Sequence, residues 1–417
     1  MPVQEASMSK MKTSRDMHLG EPGIFQKLFR RRRLESVFLF VTAKCNSKCR
    51  TCFYASETHP GNDLTFDEIR RLSETAPRFD KLWLSGGEPV LRDDLVDIVE
   101  LFYKNNGART VNFPTNGLLP DRIVTTVGQL ADRCPELAIH LNFSLDGLGE
   151  IHDEIRGVKD GFKKTIAALE RAQSCFADHP RIFQNVATVV TAENLDGLYD
   201  LGLYLFKKFR LATHVFEAVR GESRDPKLRR VNSDQLSDLH NQLLPLYDAM
   251  AERLFAKLPP GARHLAKAAF VGTTRELQRI QCANIHGPHP WGMDCTAGET
   301  TIVIDHDGGY RACELRPRLG NMRDLDFNLA AAHRGIEMRR EIEAIGGGAR
   351  ADCWCTHTCW SFSSTKFSPR KMLCDIPLRY METRWKRYPK LEPGLIDPGE
   401  IANRYRIEAD SQLETVN

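Results

Sequence analysis

Long apolar runs are missing from this chain. No stretch reaches the roughly 18 apolar residues that a spanning helix needs, so no membrane span is predicted. The polar opening, Met1 to Met17, holds no apolar segment of the secretory kind, which predicts a cytoplasmic protein. Excess charge is missing too: 58 basic against 55 acidic residues leave a net charge of +3, too little to mark a nucleic-acid binder. One basic run, Lys27-Leu-Phe-Arg30-Arg-Arg-Arg33, reads as a solvated helix end, with an acidic partner or membrane surface as the alternative. There is no internal repeat and no low-complexity segment, which excludes solenoids and biased tails.

What remains is the composition of a globular enzyme, with 41% hydrophobic and 27% charged residues among 417. That length suits two domains, or one large barrel with an appendage. Twelve cysteines in a chain without a signal read as metal ligands or inert core thiols, not as a disulfide framework. Cys134 and Cys175, in helical stretches, read as buried inert thiols. The informative group is Cys45-Asn-Ser-Lys-Cys49-Arg-Thr-Cys52, just after the apolar run Val37–Val41. Three thiolates this close can bind three irons of a cubane cluster and leave the fourth iron without a protein ligand. An open iron is a place for a cofactor or substrate.

The chain divides into five parts. Residues 1–34 form an N-terminal extension. From 35 to 221 strands alternate with helices: strands are predicted at Val37–Thr42, Lys81–Leu84, Thr110–Phe113, Ile139–Ser144, Val186–Val190 and His214–Val219. Helices are predicted near 65–77, 92–106, 121–133, 161–177 and 195–209 from apolar residues three and four apart. Strands joined by crossover helices make a parallel sheet. The fold class is therefore α/β, a partial (βα)6 parallel barrel with a smaller cysteine-rich C-terminal domain. Several strands end in turn residues (Ser85-Gly86-Gly87, Thr115-Asn116-Gly117, Asp146-Gly147, Arg220-Gly221), and in such folds the carboxyl ends of strands build the active site. Residues 222–280 read as a helical bridge. The cysteine-rich domain covers 281–375, with a hairpin at Thr300–Ile304 and Tyr310–Cys313 around Asp305-His-Asp-Gly308-Gly309 and a helix at about 327–345. Residues 376–417 read as a tail.

The triad, combined with Ser85-Gly86-Gly87-Glu88-Pro89 after the second strand, resembles the radical SAM superfamily over roughly residues 35–221. The resemblance implies that Cys45, Cys49 and Cys52 hold a [4Fe–4S] cluster whose open iron is chelated by S-adenosylmethionine. It implies that Gly86 and Gly87 let the backbone approach that cofactor, and that Glu88, with the backbone of Pro89 and its neighbours, holds the amino group. Thr115, Asn116 and Ser144 would line the pocket, Ser144 reaching the ribose, and Arg156 would pair with the cofactor carboxylate. Each has a plainer structural reading, and Asp146 reads as a turn residue. One departure stands out: the residue before the third cysteine, usually aromatic in this superfamily, is Thr51, with Phe53-Tyr54 just after.

The second cysteine set resembles the superfamily's C-terminal auxiliary-cluster extension, the SPASM domain or its shortened twitch form. Cys295-Thr-Ala-Gly298 is followed by the hairpin, Gly308 and Cys313, then by Cys353-Trp-Cys355-Thr-His-Thr-Cys359. The full SPASM cysteine run is lacking, so the resemblance implies one auxiliary [4Fe–4S] cluster. Cys295 and Cys313 supply two ligands and two of Cys353, Cys355 and Cys359 the others, Cys355 and Cys359 fitting the spacing best. Cys282 and Cys374 are alternates, and a structural zinc site is the competing reading. Trp354 and Trp360 would shield the cluster.

These implications predict an enzyme that cleaves S-adenosylmethionine reductively and takes hydrogen from a peptide or small metabolite, giving oxidation or C–C/C–S bond formation. The auxiliary cluster would accept an electron or ligate the substrate. An external donor of flavodoxin or ferredoxin type is implied. With about 34 residues before the first strand, a peptide substrate would need direct binding or a separate recognition protein. The competing functions are an activase of a partner enzyme and a non-catalytic electron carrier.

Overall fold

The computed structural model describes residues 32–55, 61–346, 353, 355–386, 398–405 and 407. Most of the basic run, Trp354, Pro389 and Pro393 lie outside them. Arg32 pairs with Glu299 at 2.5 Å and Arg33 faces Asp80 at 3.5 Å, so the described end of that run is taken up by ion pairs within the chain.

Six strands, β1 (Ser36–Thr42), β2 (Lys81–Gly86), β3 (Thr110–Thr115), β4 (Ala138–Ser144), β5 (Ile182–Val190) and β6 (Thr213–Ala218), pair in parallel in chain order. Helices α1 (Phe66–Thr75), α2 (Leu95–Asn106), α3 (Pro120–Arg133), α4 (Glu150–Arg156), α5 (Gly161–Phe176) and α6 (Leu198–Lys208) form the crossovers. All seven residues of β1 are buried, as a strand covered on both faces requires. Local signals start and stop the helices where they should: α1 opens on a capping box, Thr65 with Glu68. Only the short α4 escaped the periodicity argument, because seven residues carry too few turns to show a stripe.

The second half departs from expectation in three ways. Helices α7 (Ser233–Leu254) and α8 (Pro260–Asn284) fill the bridge, but the next strand does not begin a separate sheet. Strand β7 (Thr301–Ile304) pairs in parallel with β1, Val37 opposite Ile302 and Leu39 opposite Ile304. With β8 (Gly309–Arg311) and β9 (Gly320–Asn321) it extends the barrel sheet to nine strands, in the order β6-β5-β4-β3-β2-β1-β7-β8-β9. An apolar β1 with one unpaired edge is otherwise a liability, and β7 covers it. Second, the single helix expected over 327–345 is two, α9 (Leu329–Arg334) and α10 (Ile336–Ile345), split by an extended Gly335.

Third, the expected tail contains packed helices. After α11 (Thr358–Thr365), α12 (Ile376–Trp385) lies along α8, and α13 (Pro398–Arg404) lies on α6. The approach at α8 is close enough that a Cβ on Gly272 would sit 2.4 Å from the Ile376 carbonyl oxygen. Buried Lys371 reinforces it through an ion pair with Glu276 at 2.6 Å. Cys134 is buried as expected, whereas Cys175 is exposed, on the solvent face of α5. Among the described residues no helix is long and apolar enough to cross a membrane.

Candidate active site

The cysteine triad occupies the loop that leaves the carboxyl end of β1, and the fold grips that loop from three sides. The first grip is on its start: Asp63 accepts from the Thr42 hydroxyl at 2.6 Å and the Ala43 N–H at 2.9 Å. The second is at the end of β2, where the Gly87 N–H donates to the Thr42 carbonyl (2.7 Å) and the Glu88 N–H to the Lys44 carbonyl (2.8 Å). These bonds leave no room for side chains. A Cβ would fall 2.4 Å from the Thr42 oxygen at Gly86, whose φ is +109°, and 1.9 Å from the Lys44 oxygen at Gly87. Both glycines are therefore required by the cysteine loop itself.

The third grip comes from the end of α4. Lys48 and Arg50 donate their N–H groups to the carbonyls of Arg156 (3.1 Å) and Ile155 (2.8 Å). The Arg50 side chain then spans Glu193 and Asp225, both at 2.6 Å.

Sulfur atoms of the triad sit among polar groups. The Ser47 hydroxyl lies 3.1 Å from Cys49 Sγ, and Arg156 Nη1 donates to the same sulfur at 3.6 Å. Cys45 is exposed as a residue, yet the protein packed around its sulfur pushes its thiol up to about 11, with Cys49, Glu88 and Cys52 adding to the rise. Desolvation also raises Cys52. Thiols that resist ionisation in this way become good ligands when a cation supplies the missing charge. The donor set fits a cubane cluster held by three thiolates.

Around the triad the strand ends converge. Glu88 is 2% exposed, and its Oε2 accepts from the Asn116 N–H at 2.7 Å, tying the end of β2 to the end of β3. Burial pushes this carboxyl up to about 7, against the pull of the Asn116 N–H, the Thr115 hydroxyl and the Val90 N–H. Pro89 is buried at the start of a single 3-10 turn. The Asn116 amide also donates to Asn46, inside the cysteine loop, at 2.7 Å. Ser144 closes β4 half-buried, opposite Ala187.

Arg156 is held by a buried carboxylate. Its Nε lies 2.6 Å from Oδ2 of Asp146, which is fully buried and accepts the Val189 N–H on Oδ1. Burial alone would weaken the guanidinium, but Asp146 and Cys49 hold its pKa above the ordinary value. Asp146, read as a turn residue, is thus the counter-ion that sets Arg156 against the triad. The aromatics after Cys52 also separate in role. Tyr54 points into the core and meets His306 Nδ1 at 2.8 Å, whereas Phe53 stays half-buried beneath the Arg220 guanidinium, 5.0 Å from its ring centre.

Arg220 leads to the second cysteine set. It reaches Glu217 at 2.7 Å and Glu314 at 3.1 Å, and Glu314 in turn faces His357 Nε2 at 2.8 Å. Burial would raise the Glu314 carboxyl, but His357 and Arg220 hold it down at about 2. Cys359 belongs to this polar group: its sulfur, a Glu217 oxygen and a His357 nitrogen lie within 4.8 Å of one another. His214, on β6, is buried against Thr188 at 2.8 Å.

Beside that group lies a cavity of about 70 Å³ whose wall includes Cys295, Cys313, Cys353 and Cys355, with Trp291 and Trp360. Cys359 is not part of that wall, so the structure brings Cys353 to the cavity where spacing favoured Cys359. Burial pushes the Cys295 thiol up to about 11 and raises Cys313 and Cys355 further, each cysteine adding to its neighbours' resistance. Cys282 lies in α8 apart from the wall, and Cys374 is exposed. Sequence reasoning missed Arg220 and Trp291. A charged residue at a strand's carboxyl end and a tryptophan four residues before a cysteine were the available signals.

Three comparisons bear on this arrangement. The model of the radical SAM superfamily matches residues 39–201, the stretch that carries the triad, Gly86-Gly87-Glu88 and Arg156. An AdoMet-dependent heme synthase of Methanosarcina barkeri is 29% identical over 295 residues, covering 69% of this chain and 79% of that protein. A GTP 3',8-cyclase of Pectobacterium atrosepticum is 33% identical over 143 residues, 33% of this chain and 42% of that protein. Among solved structures, native anSMEcpe with bound AdoMet and Cp18Cys peptide superposes with a TM-score of 0.54 at 17% identity, covering 88% of this chain and 99% of that one. Streptococcus suis SuiB bound to precursor peptide SuiA gives 0.52 at 14% identity over 77% and 69% of the two chains. The two structural likenesses bear on the fold alone. A six-stranded parallel sheet, a C-x3-C-x2-C loop beyond its first strand and a matching family model agree: the chain carries a radical SAM domain over residues 39–201.

Proposed function

We propose that this enzyme removes two electrons from a carbon centre of a peptide or small metabolite, and that it carries two [4Fe–4S] clusters. Cys45, Cys49 and Cys52 would hold the first, with S-adenosylmethionine on its open iron. Cys295, Cys313, Cys353 and Cys355 would hold the second. When bound, the first cluster and S-adenosylmethionine supply a 5′-deoxyadenosyl radical by one-electron cleavage, and that radical takes hydrogen from the substrate.

The observation that carries the reading is the cavity wall with four cysteines. Four thiolates satisfy all four irons of a cubane, which leaves no iron for a substrate and favours an electron-accepting role over substrate ligation. The chain's own residues supply the rest. Glu88 and the Thr115–Asn116 strand end would receive the cofactor's amino group. Arg156, held by Asp146, keeps positive charge against the triad's thiolates. Phe53, next to Cys52, packs beneath the Arg220 guanidinium, and the buried Trp291 and Trp360 rings would keep water from the second set. An external donor of flavodoxin or ferredoxin type would deliver the first electron. The peptides named with anSMEcpe and SuiB support a peptide substrate, and the name heme synthase supports a small molecule.

Anaerobically reconstituted protein with dithionite and S-adenosylmethionine should release 5′-deoxyadenosine, and C49A should not. Absence of the product from the unaltered enzyme defeats the proposal. The C45A/C49A/C52A variant should retain about four irons, and a variant without iron removes the second cluster.

A further inference from the structure

Trp291 and Trp360 line the same cavity as the four cysteines, and each is 2% exposed. The indole N–H of each is buried and has no acceptor among the described residues. This is unusual chemistry for two neighbouring residues. An indole N–H can only donate, a buried one ordinarily finds a partner, and leaving it without one is destabilising. Trp83 and Trp385 do not share this condition: Trp83 is half-buried and stacked on Phe38, and Trp385 is 85% exposed. The unsatisfied donors therefore occur where the cysteines converge.

Other N–H groups at that wall already use sulfur as their acceptor. The His357 N–H donates to Cys355 Sγ at 3.1 Å, and the Leu315 N–H donates to Cys313 Sγ at 3.5 Å. Packing holds the Trp360 ring in place. It stacks on Phe38 at 5.2 Å and stands edge-on to His357 at 6.2 Å. Trp291 is packed against Ile280 and Met293, with Cys295 and Cys355 beside it.

We infer that the indole N–H groups of Trp291 and Trp360 donate hydrogen bonds to the sulfurs of the cluster held by Cys295, Cys313, Cys353 and Cys355, and so raise its reduction potential. The inference rests on the second-cluster reading above. Its physics is simple: the reduced cluster carries one more negative charge than the oxidised one, so a donor aimed at sulfur favours the reduced state. A higher potential suits a centre that accepts an electron during substrate oxidation. The two tryptophans act through the cluster and are positioning residues.

The test uses the full chain with C45A/C49A/C52A, so that only the second cluster is loaded. W291F, W360F and the double variant are reconstituted anaerobically, iron is counted, and the midpoint is read by potentiometric titration followed by EPR. Each single variant should keep about four irons. Each should lower the equilibrium constant for reduction about tenfold, ~59 mV for a one-electron couple, and the double variant should fall further. Unmoved midpoints in all three variants with iron retained overturn the inference while the cluster stands. No iron in the C45A/C49A/C52A parent overturns the cluster and the inference together. Should a phenylalanine variant fail to load, replacing tryptophan biosynthetically with benzothienylalanine, which has sulfur in place of the indole N–H, gives the same readout: a lowered midpoint supports the inference and an unchanged one refutes it.

Discussion

Replacing Glu88 with glutamine should make the metal-free protein more stable at neutral and alkaline pH. The side chain is 2% exposed, and burial lifts its carboxyl from an ordinary 4.5 to about 7. At 1.36 kcal/mol per pH unit, that difference corresponds to about 3.4 kcal/mol between the two protonation states. The sign follows from proton binding. The folded state holds this proton more tightly than the unfolded chain, so stability from Glu88 is fully present below pH 4.5 and is lost as pH rises through 7. Between pH 5 and pH 8 the loss integrates to about 2.5 kcal/mol. Glutamine stays neutral throughout, and its carbonyl can still accept the Asn116 N–H that Glu88 Oε2 now accepts. Urea denaturation of reduced, anaerobic apoprotein at several pH values should therefore show E88Q gaining on the parent by about 2.5 kcal/mol from pH 5 to pH 8. Stability curves that run parallel across that window would refute the assignment of a buried, proton-holding carboxyl at this strand end.

Three further outcomes follow from the same geometry. R156M strands the fully buried Asp146 carboxylate and should cost about 3–5 kcal/mol, with the D146N/R156M double variant recovering part of the loss; a single-variant cost below about 1 kcal/mol contradicts a buried pair. G87A places a Cβ 1.9 Å from the Lys44 carbonyl oxygen, so the cysteine loop must move. Iron in that variant should drop from about eight to about four per chain, and retention of eight would show that the loop tolerates displacement. In the C45A/C49A/C52A background, C353A should lose iron and C359A should keep about four; the reverse would restore the ligand set that spacing favours.

Much of the half-barrel is legible in the amino-acid order. Strands β1 to β6 and five of their helices follow from local rules: a buried strand reads as an apolar run, and a crossover helix reads as apolar residues three and four apart. The cysteine triad is legible for the same reason, since its three thiols lie within eight consecutive residues, Cys45 to Cys52. The glycines at 86 and 87 could be picked out, but their cause could not. They are fixed by the backbone of Thr42 and Lys44, which come from another strand end.

The amino-acid sequence by itself determined the three-cysteine loop, the parallel order of six strands and the presence of a second cysteine group. The tertiary structure decided which distant parts meet. It joined β7 to the edge of β1, set Asp146 against Arg156, laid α12 along α8, and brought Cys353 to the cavity wall while Cys359 joined Glu217 and His357. Periodicity records which face of an element is apolar, not which remote face will cover it. Ligand choice among Cys353, Cys355 and Cys359 likewise depends on where a loop is held in space, and spacing along the chain carries no such information.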